Sequence, residues 1–239
     1  MDNVGYVGLS RNAGLMRQLD SVANNIANVS TNGYRREGNV FAEHIKALDG
    51  RDPSLSVSTL SRRFVDLSPG DVTTTSNPLD FAIEGDGFFL VETQNGQRLT
   101  RDGAFSRNAQ NELVTSGDMR VLDDTGGAIV IPAQAKSIEA ANDGLIFADG
   151  EPIGRLGVVT ADPAGLVREG GNLFRAENGF DPAEAVRVRQ FAVEGSNVNA
   201  VAELARLIEV QRTYEISQKF SKDDDERINR TIRVLGHQS

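Results

Sequence analysis

The sequence predicts an α+β protein: long N- and C-terminal helices that pair as a coiled-coil-like stalk, with a central antiparallel β domain between them. Three observations predict it. Apolar residues at both ends recur with helical spacing and no proline interrupts them. The middle alternates short apolar runs with Gly-containing turns. Glycine is abundant, 24 of 239 residues, above the ~7% of an average chain, which suits a turn-rich β region.

At the N-terminus, no proline occurs from Asn3 to Ser30, and Leu15, Leu19, Val22, Ile26 and Val29 follow a 4-3-4-3 spacing. That is a heptad seam. Ala13, Ala23 and Ala27 lie beside it, small enough for another helix to approach closely. Thr31-Asn32-Gly33 supplies a left-handed residue to end the helix. A helix of about 28 residues would span roughly 42 Å.

The C-terminus mirrors this. Gly195-Ser196-Asn197-Val198-Asn199 offers N-cap residues, and no proline follows Pro182. Val201, Leu204 and Ile208 form one seam; Leu207, Val210 and Tyr214 form a second; Ile228, Ile232 and Leu235 resume the apolar face. Glu215/Lys219, Asp223/Arg227 and Glu226/Arg230 are favourable i, i+4 pairs. Running to about Val234, the helix would reach roughly 55 Å. Two adjacent seams need more than one helical neighbour, so sister molecules are predicted to cover what one N-terminal helix leaves bare. The predicted subunit interface comprises Leu15, Leu19, Val22, Asn25, Ile26, Val29, Val201, Leu204, Leu207, Ile208, Gln211 and Tyr214. Amides such as Asn25, buried beside a seam, would fix register between neighbouring helices.

Between the ends, Leu79, Phe81 and Ile83 alternate with Asp80, Ala82 and Glu84, predicting a half-buried strand whose second face is solvated. Phe88-Phe89-Leu90-Val91 follows, with a hairpin turn at Asn95-Gly96. Short runs at Leu113-Val114, Val121-Leu122, Ala128 to Ile131, Leu145 to Phe147 and Leu156 to Val159 are punctuated by Asp-Gly and Ser-Gly turns, and Val186, Val188 and Gln190 form a last alternating strand. The spacing predicts one sandwich or barrel-like domain. The divisions are 1–34 for the N-terminal helix, 35–75 for an extended connector with Pro53 and Pro69, 76–195 for the β domain and 196–239 for the C-terminal helix.

Composition excludes several classes. With 25 Lys+Arg against 34 Asp+Glu, a net charge of −9, the overall field opposes nucleic acid and anionic membranes. No apolar run approaches the ~18 residues of a membrane span. The first residues show no basic region followed by an apolar one, so no cleavable secretory signal is expected. The absence of Cys removes disulfides, thiolate metal sites and thiol catalysis. His44 and His237 stand alone and support no triad or metal centre. No catalytic, cofactor-binding or metal-binding residue is assigned.

Four further features read as structure. Asp80, Glu84 and Asp86 could pair as glycosidase carboxylates, but a solvated strand face accounts for them. Gly85-Asp86-Gly87 lacks the third glycine and following helix of a dinucleotide loop; it reads as a turn. Asp223-Asp224-Asp225-Glu226 lies within a helix and lacks the turn glycine of a calcium loop. Tyr34-Arg35-Arg36 is too short for a nucleic-acid patch.

Four co-linear motifs carry a family likeness. Ala23-Asn24-Asn25-Ile26-Ala27-Asn28 leading to Thr31-Asn32-Gly33-Tyr34 resembles the N-terminal signature of the flagellar basal-body rod and hook proteins. Asn77-Pro78-Leu79-Asp80-Phe81-Ala82-Ile83 to Gly85-Asp86-Gly87-Phe88-Phe89, and Leu99-Thr100-Arg101-Asp102-Gly103-Ala104-Phe105, are similar to two central segments of that family. Glu194 to Asn199, with Ile208 to Glu215, resembles its C-terminal helix motif. The Tyr6 to Ser10 opening, the lead-in at Glu194 and the modest length are most like the proximal rod members. Ser76 stands where the family often has Gly, and Leu99 where it usually has an aromatic.

The resemblance implies a non-enzymatic rod subunit, exported unfolded through the flagellar type III apparatus without signal cleavage and assembled in the periplasm. Its implied partners are proximal and distal rod subunits, itself included, and the export apparatus; neither nucleic acid nor membrane insertion is implied. Terminal helices would pack in concentric layers of an axial tube and transmit torque, with the β domain outward. The alternatives are a distal rod or hook subunit of the same family, and a cell-envelope glycan-binding or glycan-processing β-domain protein.

Overall fold

A computed structural model describes residues 2–46, 55–183 and 187–236, which form two compact units. Val186 and His237, and the side chains of His44, Ile228, Ile232 and Leu235, lie outside the described residues. Two terminal helices accompany a central antiparallel β region, an α+β architecture.

The first unit comprises Met1–Ala27, Glu37–Phe64 and Asn199–Ser239. Helix α1 runs Asp2–Ala27, and α2 runs Ala200–Gly236. Strands β1 (Glu37–Lys46) and β2 (Leu55–Val65) pair as a two-stranded sheet in the stretch expected to be a connector. The helices pack antiparallel: Asn25 meets Glu203 near one end, and Gly8 approaches the Ser221 hydroxyl near the other. Asn199 starts α2 as an N-cap, its Oδ1 accepting the Ala202 N–H at 3.0 Å. Helix α1 stops at Ala27, earlier than the predicted Ser30. Asn28 turns the chain there, its carbonyl and side chain accepting from the Thr31 N–H and hydroxyl. Among the described residues no helix is long and apolar enough to cross a membrane.

The second unit comprises Asn28–Arg36 and Val65–Val198, so it takes in chain on both sides of 76–195. Its strands are β3 (Val72–Thr74), β4 (Phe81–Glu84), β5 (Phe88–Thr93), β6 (Gly96–Thr100), β7 (Phe105–Arg107), β8 (Leu113–Thr115) and β9 (Arg120–Val121). Then come β10 (Ile138–Ala140), β11 (Leu145–Ala148), β12 (Glu151–Arg155), β13 (Val158–Thr160) and β14 (Leu166–Glu169). The last are β15 (Leu173–Ala176), β16 (Asp181–Pro182), β17 (Arg187–Gln190) and β18 (Ala192–Glu194). The main sheet has nine strands in the order β14-β15-β6-β5-β9-β8-β7, with β13 joining β5 and β16 joining β13. Ribbons β10-β11-β12, β17-β4 and β18-β3 complete the unit.

Strand β5 explains the continuous apolar run. Phe89 and Val91 enter one core with Phe81, Phe105, Leu113 and Ile146, while Phe88 and Leu90 enter another with Leu99, Leu122 and Phe174. A central strand covered on both faces needs apolar side chains at every position. Phe89 and Phe105 meet edge to face at 5.1 Å.

Two sequence expectations are corrected here. The Asp80/Ala82 face is not solvated: both residues are buried, and only Glu84 of that face is exposed. Asp80 belongs to a turn in which its N–H bonds the Asn77 carbonyl, Asn77 Nδ2 donates to Asp80 Oδ1 at 2.7 Å, and Leu79 N–H donates to Asn77 Oδ1. The β5–β6 hairpin exists, but Thr93 pairs with Gly96, which places Gln94-Asn95 at the turn centre and Gly96, at φ +96°, in the left-handed position after it.

Candidate functional site

The helical unit is built around a polar contact. Asn25 presents its amide to the backbone of Glu37 as a neighbouring strand would: Oδ1 accepts the Glu37 N–H at 2.9 Å and Nδ2 donates to the Glu37 carbonyl at 2.9 Å. Nδ2 also lies 3.3 Å from Glu203 Oε2 on α2. Ser21 reaches the same carbonyl, and Val22 and Val210 are buried nearby in the sequence of each helix. The covered face of α1 is therefore Gly14, Ser21, Val22 and Asn25, rotated from the predicted seam. Leu15, Leu19 and Ile26 are its half-buried flanks, and Val29, beyond the helix end, is exposed.

Helix α2 has two apolar faces. One carries Glu203, Leu207, Val210, Tyr214 and Ser217, buried or half-buried. The other is bare: Val201 is 77% exposed, Leu204 48%, Ile208 51%, Ile216 70% and Phe220 65%. At 100° per residue the centres of these two sets lie on opposite sides of the cylinder, with Leu204 and Phe220 at the edges of the bare one. Gln211 is exposed. On α1, Leu9 and Met16 are exposed on the side away from Val22 and Asn25. Among the first-predicted interface residues, then, Val22 and Asn25 are covered within the chain, whereas Val201, Leu204, Ile208 and Gln211 face outward. Further along α2, Arg227 pairs with Asp224 at 2.6 Å. Among the described residues no acidic or histidine cluster could hold a metal.

The motif residues of the second unit assemble around one carboxylate. Glu194 Oε1 accepts from Arg35 Nη2 at 2.7 Å and from the Gly70 N–H at 2.8 Å. Its Oε2 faces Arg101 Nε at 3.0 Å as an ion pair. Arg101 spends its other nitrogens on the carbonyls of Gly87 and Gly85, both at 2.7 Å, so the turn read from Gly85-Asp86-Gly87 is a carbonyl clamp for a guanidinium. Burial lowers the Arg101 pKa, the Glu194 carboxylate opposes that shift, and the Arg35 charge adds to it.

Neighbouring motif residues lock the same region. Gly33, at φ +64°, donates its N–H to the Glu194 carbonyl, and a Cβ there would sit 2.3 Å from the Arg101 carbonyl carbon. Gly103 is equally constrained, since a Cβ would lie 1.8 Å from the Phe81 carbonyl oxygen. Asn197 Oδ1 accepts the Arg36 N–H at 2.6 Å, while its Nδ2 donates to the Asp66 and Ser68 carbonyls. Arg168 stacks on Tyr34 and Phe174 at 4.4 and 4.6 Å and donates to the Arg35 carbonyl. The sequence singles out neither Arg168 nor Asn172, and marks Gln190 only as a strand residue. Their partners, Asn32 for Asn172 and Pro78, Ile138 and Ala140 for Gln190, are far away in the chain. Asp80 is held by Asn77 at 2.7 Å, while Glu84 and Asp86 are exposed.

Comparison with known proteins matches these parts in order. A family described as flagella basal body rod protein matches residues 6–35, covering most of α1 and the turn through Arg35. The flagellar hook protein FlgE/F/G D1 domain matches residues 82–148 of the β unit, and the flagellar basal body rod FlgEFG protein C-terminal family matches 189–234. The chain is 38% identical to the flagellar basal-body rod protein FlgF of Caulobacter vibrioides, with 99% of each chain covered. It is 33% identical to FlgF of Mesorhizobium japonicum over 98% of each chain, and 29% identical to the rod protein FlgG of Bacillus subtilis over 96% of this chain and 97% of the other.

Proposed function

Because this chain belongs to the flagellar basal-body rod protein family and is FlgF-like, we propose that it assembles into the proximal rod by docking the bare faces of its terminal helices onto sister subunits. It is a structural subunit of the bacterial flagellar basal body. The observation that carries the assembly reading is the two-faced α2, one side laid on α1 and the opposite side exposing Val201, Leu204, Ile208, Ile216 and Phe220. A surface stripe of that length on a lone molecule is unusual. Fully covering each such side chain is worth about 1.5–3 kcal/mol, before the ordering cost of association.

In this reading the α1–α2 pair is a coiled-coil-like stalk, and its sister contacts use Val201, Leu204, Ile208 and Gln211, flanked by Leu15, Leu19 and Ile26 and continued at Val29. Leu207 and Tyr214 border the intrachain contact. A groove of about 540 Å³ between the helices, lined by Leu15, Gln18, Ala202, Ala205 and Val210, offers small residues where another helix could approach. The partners are proximal and distal rod subunits, itself included. Rigidity from many such contacts transmits torque, and no enzymatic step is involved. The absence of Cys suits export through the flagellar type III apparatus, because no disulfide can trap the chain before assembly.

The test is Leu204→Asp in a strain carrying only that copy. Loss of motility and of rod incorporation, with unfolding of the purified chain unchanged, is the expected result. Motile cells with the variant in purified basal bodies would overturn the reading.

A further inference from the structure

Three Asn-Gly pairs occur in the sequence: Asn32-Gly33, Asn95-Gly96 and Asn178-Gly179. Glycine has no Cβ to shield its backbone nitrogen, so each pair sets a nucleophile beside a side-chain amide. The fold treats the three differently. Gly33 is buried, its N–H donates to the Glu194 carbonyl at 2.7 Å, and the Asn32 carbonyl accepts from Asn172 Nδ2 at 2.8 Å. Asn95 is tied into the β5–β6 hairpin. Its N–H donates to Thr93 Oγ1 at 3.2 Å, its carbonyl accepts from Arg98 Nη1 at 3.0 Å, and Gly96 pairs with Thr93 in the ladder. Asn178 and Gly179 are both exposed, in the turn between β15 and β16. The Gly179 N–H makes only a long bond, 3.4 Å, to the Ala176 carbonyl, and nothing lies within 4 Å of where a Cβ would stand. The Asn178 amide donates through Nδ2 to Asp162 Oδ2 at 3.0 Å, an exposed bond for which water competes.

We propose that Asn178 is a site of spontaneous deamidation that the folded chain leaves open, while the fold protects Asn32 and Asn95. The Gly179 nitrogen attacks Asn178 Cγ and closes a succinimide ring. The Cγ–Nδ2 bond breaks, and Nδ2 leaves as ammonia with the proton given up by the Gly179 nitrogen. Water then adds to either ring carbonyl and opens the ring, leaving aspartate or isoaspartate. A carboxylate thereby replaces the donor that faces Asp162. Asp162 caps the short turn of 3-10 helix at Pro163–Gly165, its Oδ1 accepting the Ala164 N–H at 2.9 Å. Like charges then meet where a hydrogen bond stood, and one link between the two turns is lost. The Glu177 N–H still donates to the Gly165 carbonyl at 2.9 Å, so the change stays local. This chemistry belongs to the β unit and does not rest on the rod-subunit reading.

The test is peptide mapping by mass spectrometry of the full chain aged in mildly alkaline buffer, folded and in concentrated urea. In the folded chain Asn178 is expected to convert at least tenfold faster than Asn32 and Asn95, which react only when their segments open. Both aspartate and isoaspartate should appear at 178. In urea the three sites should convert within a few-fold of one another, because the dipeptide chemistry is the same. Asn178→Gln, which needs a larger and more slowly closing ring, is expected to remove the first acidic species seen on ion exchange. Conversion of Asn178 no faster than that of Asn32 or Asn95 would overturn the proposal. So would a folded-state rate at Asn178 more than tenfold below its rate in urea.

Discussion

Arg35 and Glu194, 159 residues apart in the chain, meet at 2.7 Å with both side chains 1% exposed. Glu194 also answers Arg101 and the Gly70 N–H, so removing its charge leaves two buried guanidinium groups with only the less buried Asp66 and Asp86 to answer them. Glu194→Gln is expected to destabilise the β unit by about 3–5 kcal/mol. Urea unfolding followed by tyrosine fluorescence measures this; a loss under about 1 kcal/mol would mean the network is solvated.

Asn25 links α1, β1 and α2 through one amide. Asn25→Asp removes the donor and sets a carboxylate against Glu203, so one of the two must take up a proton. Each buried group left without its partner costs about 1–3 kcal/mol. Helical signal in thermal melts should fall at neutral pH and recover as pH drops into the carboxylate range. A melt indifferent to pH would contradict this.

Asp102 is pushed above the usual carboxylate range by burial; the Ala104 N–H bond opposes the shift and the nearby Asp80 charge adds to it. A folded state that holds the proton more tightly loses stability as pH rises from the ordinary Asp value through the raised one. Asp102→Asn keeps the hydrogen-bond acceptor without the charge. The variant is expected to melt higher than the parent at pH 7 and to lose that advantage in acid below the ordinary Asp value.

Gly33 is left-handed and backs onto the Arg101 backbone. Gly33→Ala combines backbone strain of about 1–2 kcal/mol with a steric overlap, and a total loss above about 2 kcal/mol is expected in equilibrium unfolding. Retained stability would show that the turn can shift away from Arg101.

Periodicity exposed the helices, the hairpin and the apolar strands because those signals are local. It reached the covered face of α1 through Val22 and Asn25 but not Gly14 and Ser21, because hydrophobic spacing ignores small residues and hydroxyls buried through hydrogen bonds. The ion network around Glu194 was hidden for a related reason. Arginines and glutamates read as surface unless a distant partner is known, and Arg35, Arg101 and Glu194 come from three separate segments. The two seams on α2 were legible, and their opposite exposure required the partner helix. Strands β1 and β2 went unnoticed because their stretch mixes polar and β-branched residues without clean alternation.

The chain has no Cys, so Ile208→Cys creates a single reactive thiol on the bare stripe of α2. Maleimide labelling of that thiol, compared between the free subunit and purified basal bodies, tests the sister-contact surface most directly. Rapid labelling of the subunit and strong protection in the basal body is the predicted result. Equal labelling in both would show that this stripe stays in water, and would contradict assembly through it.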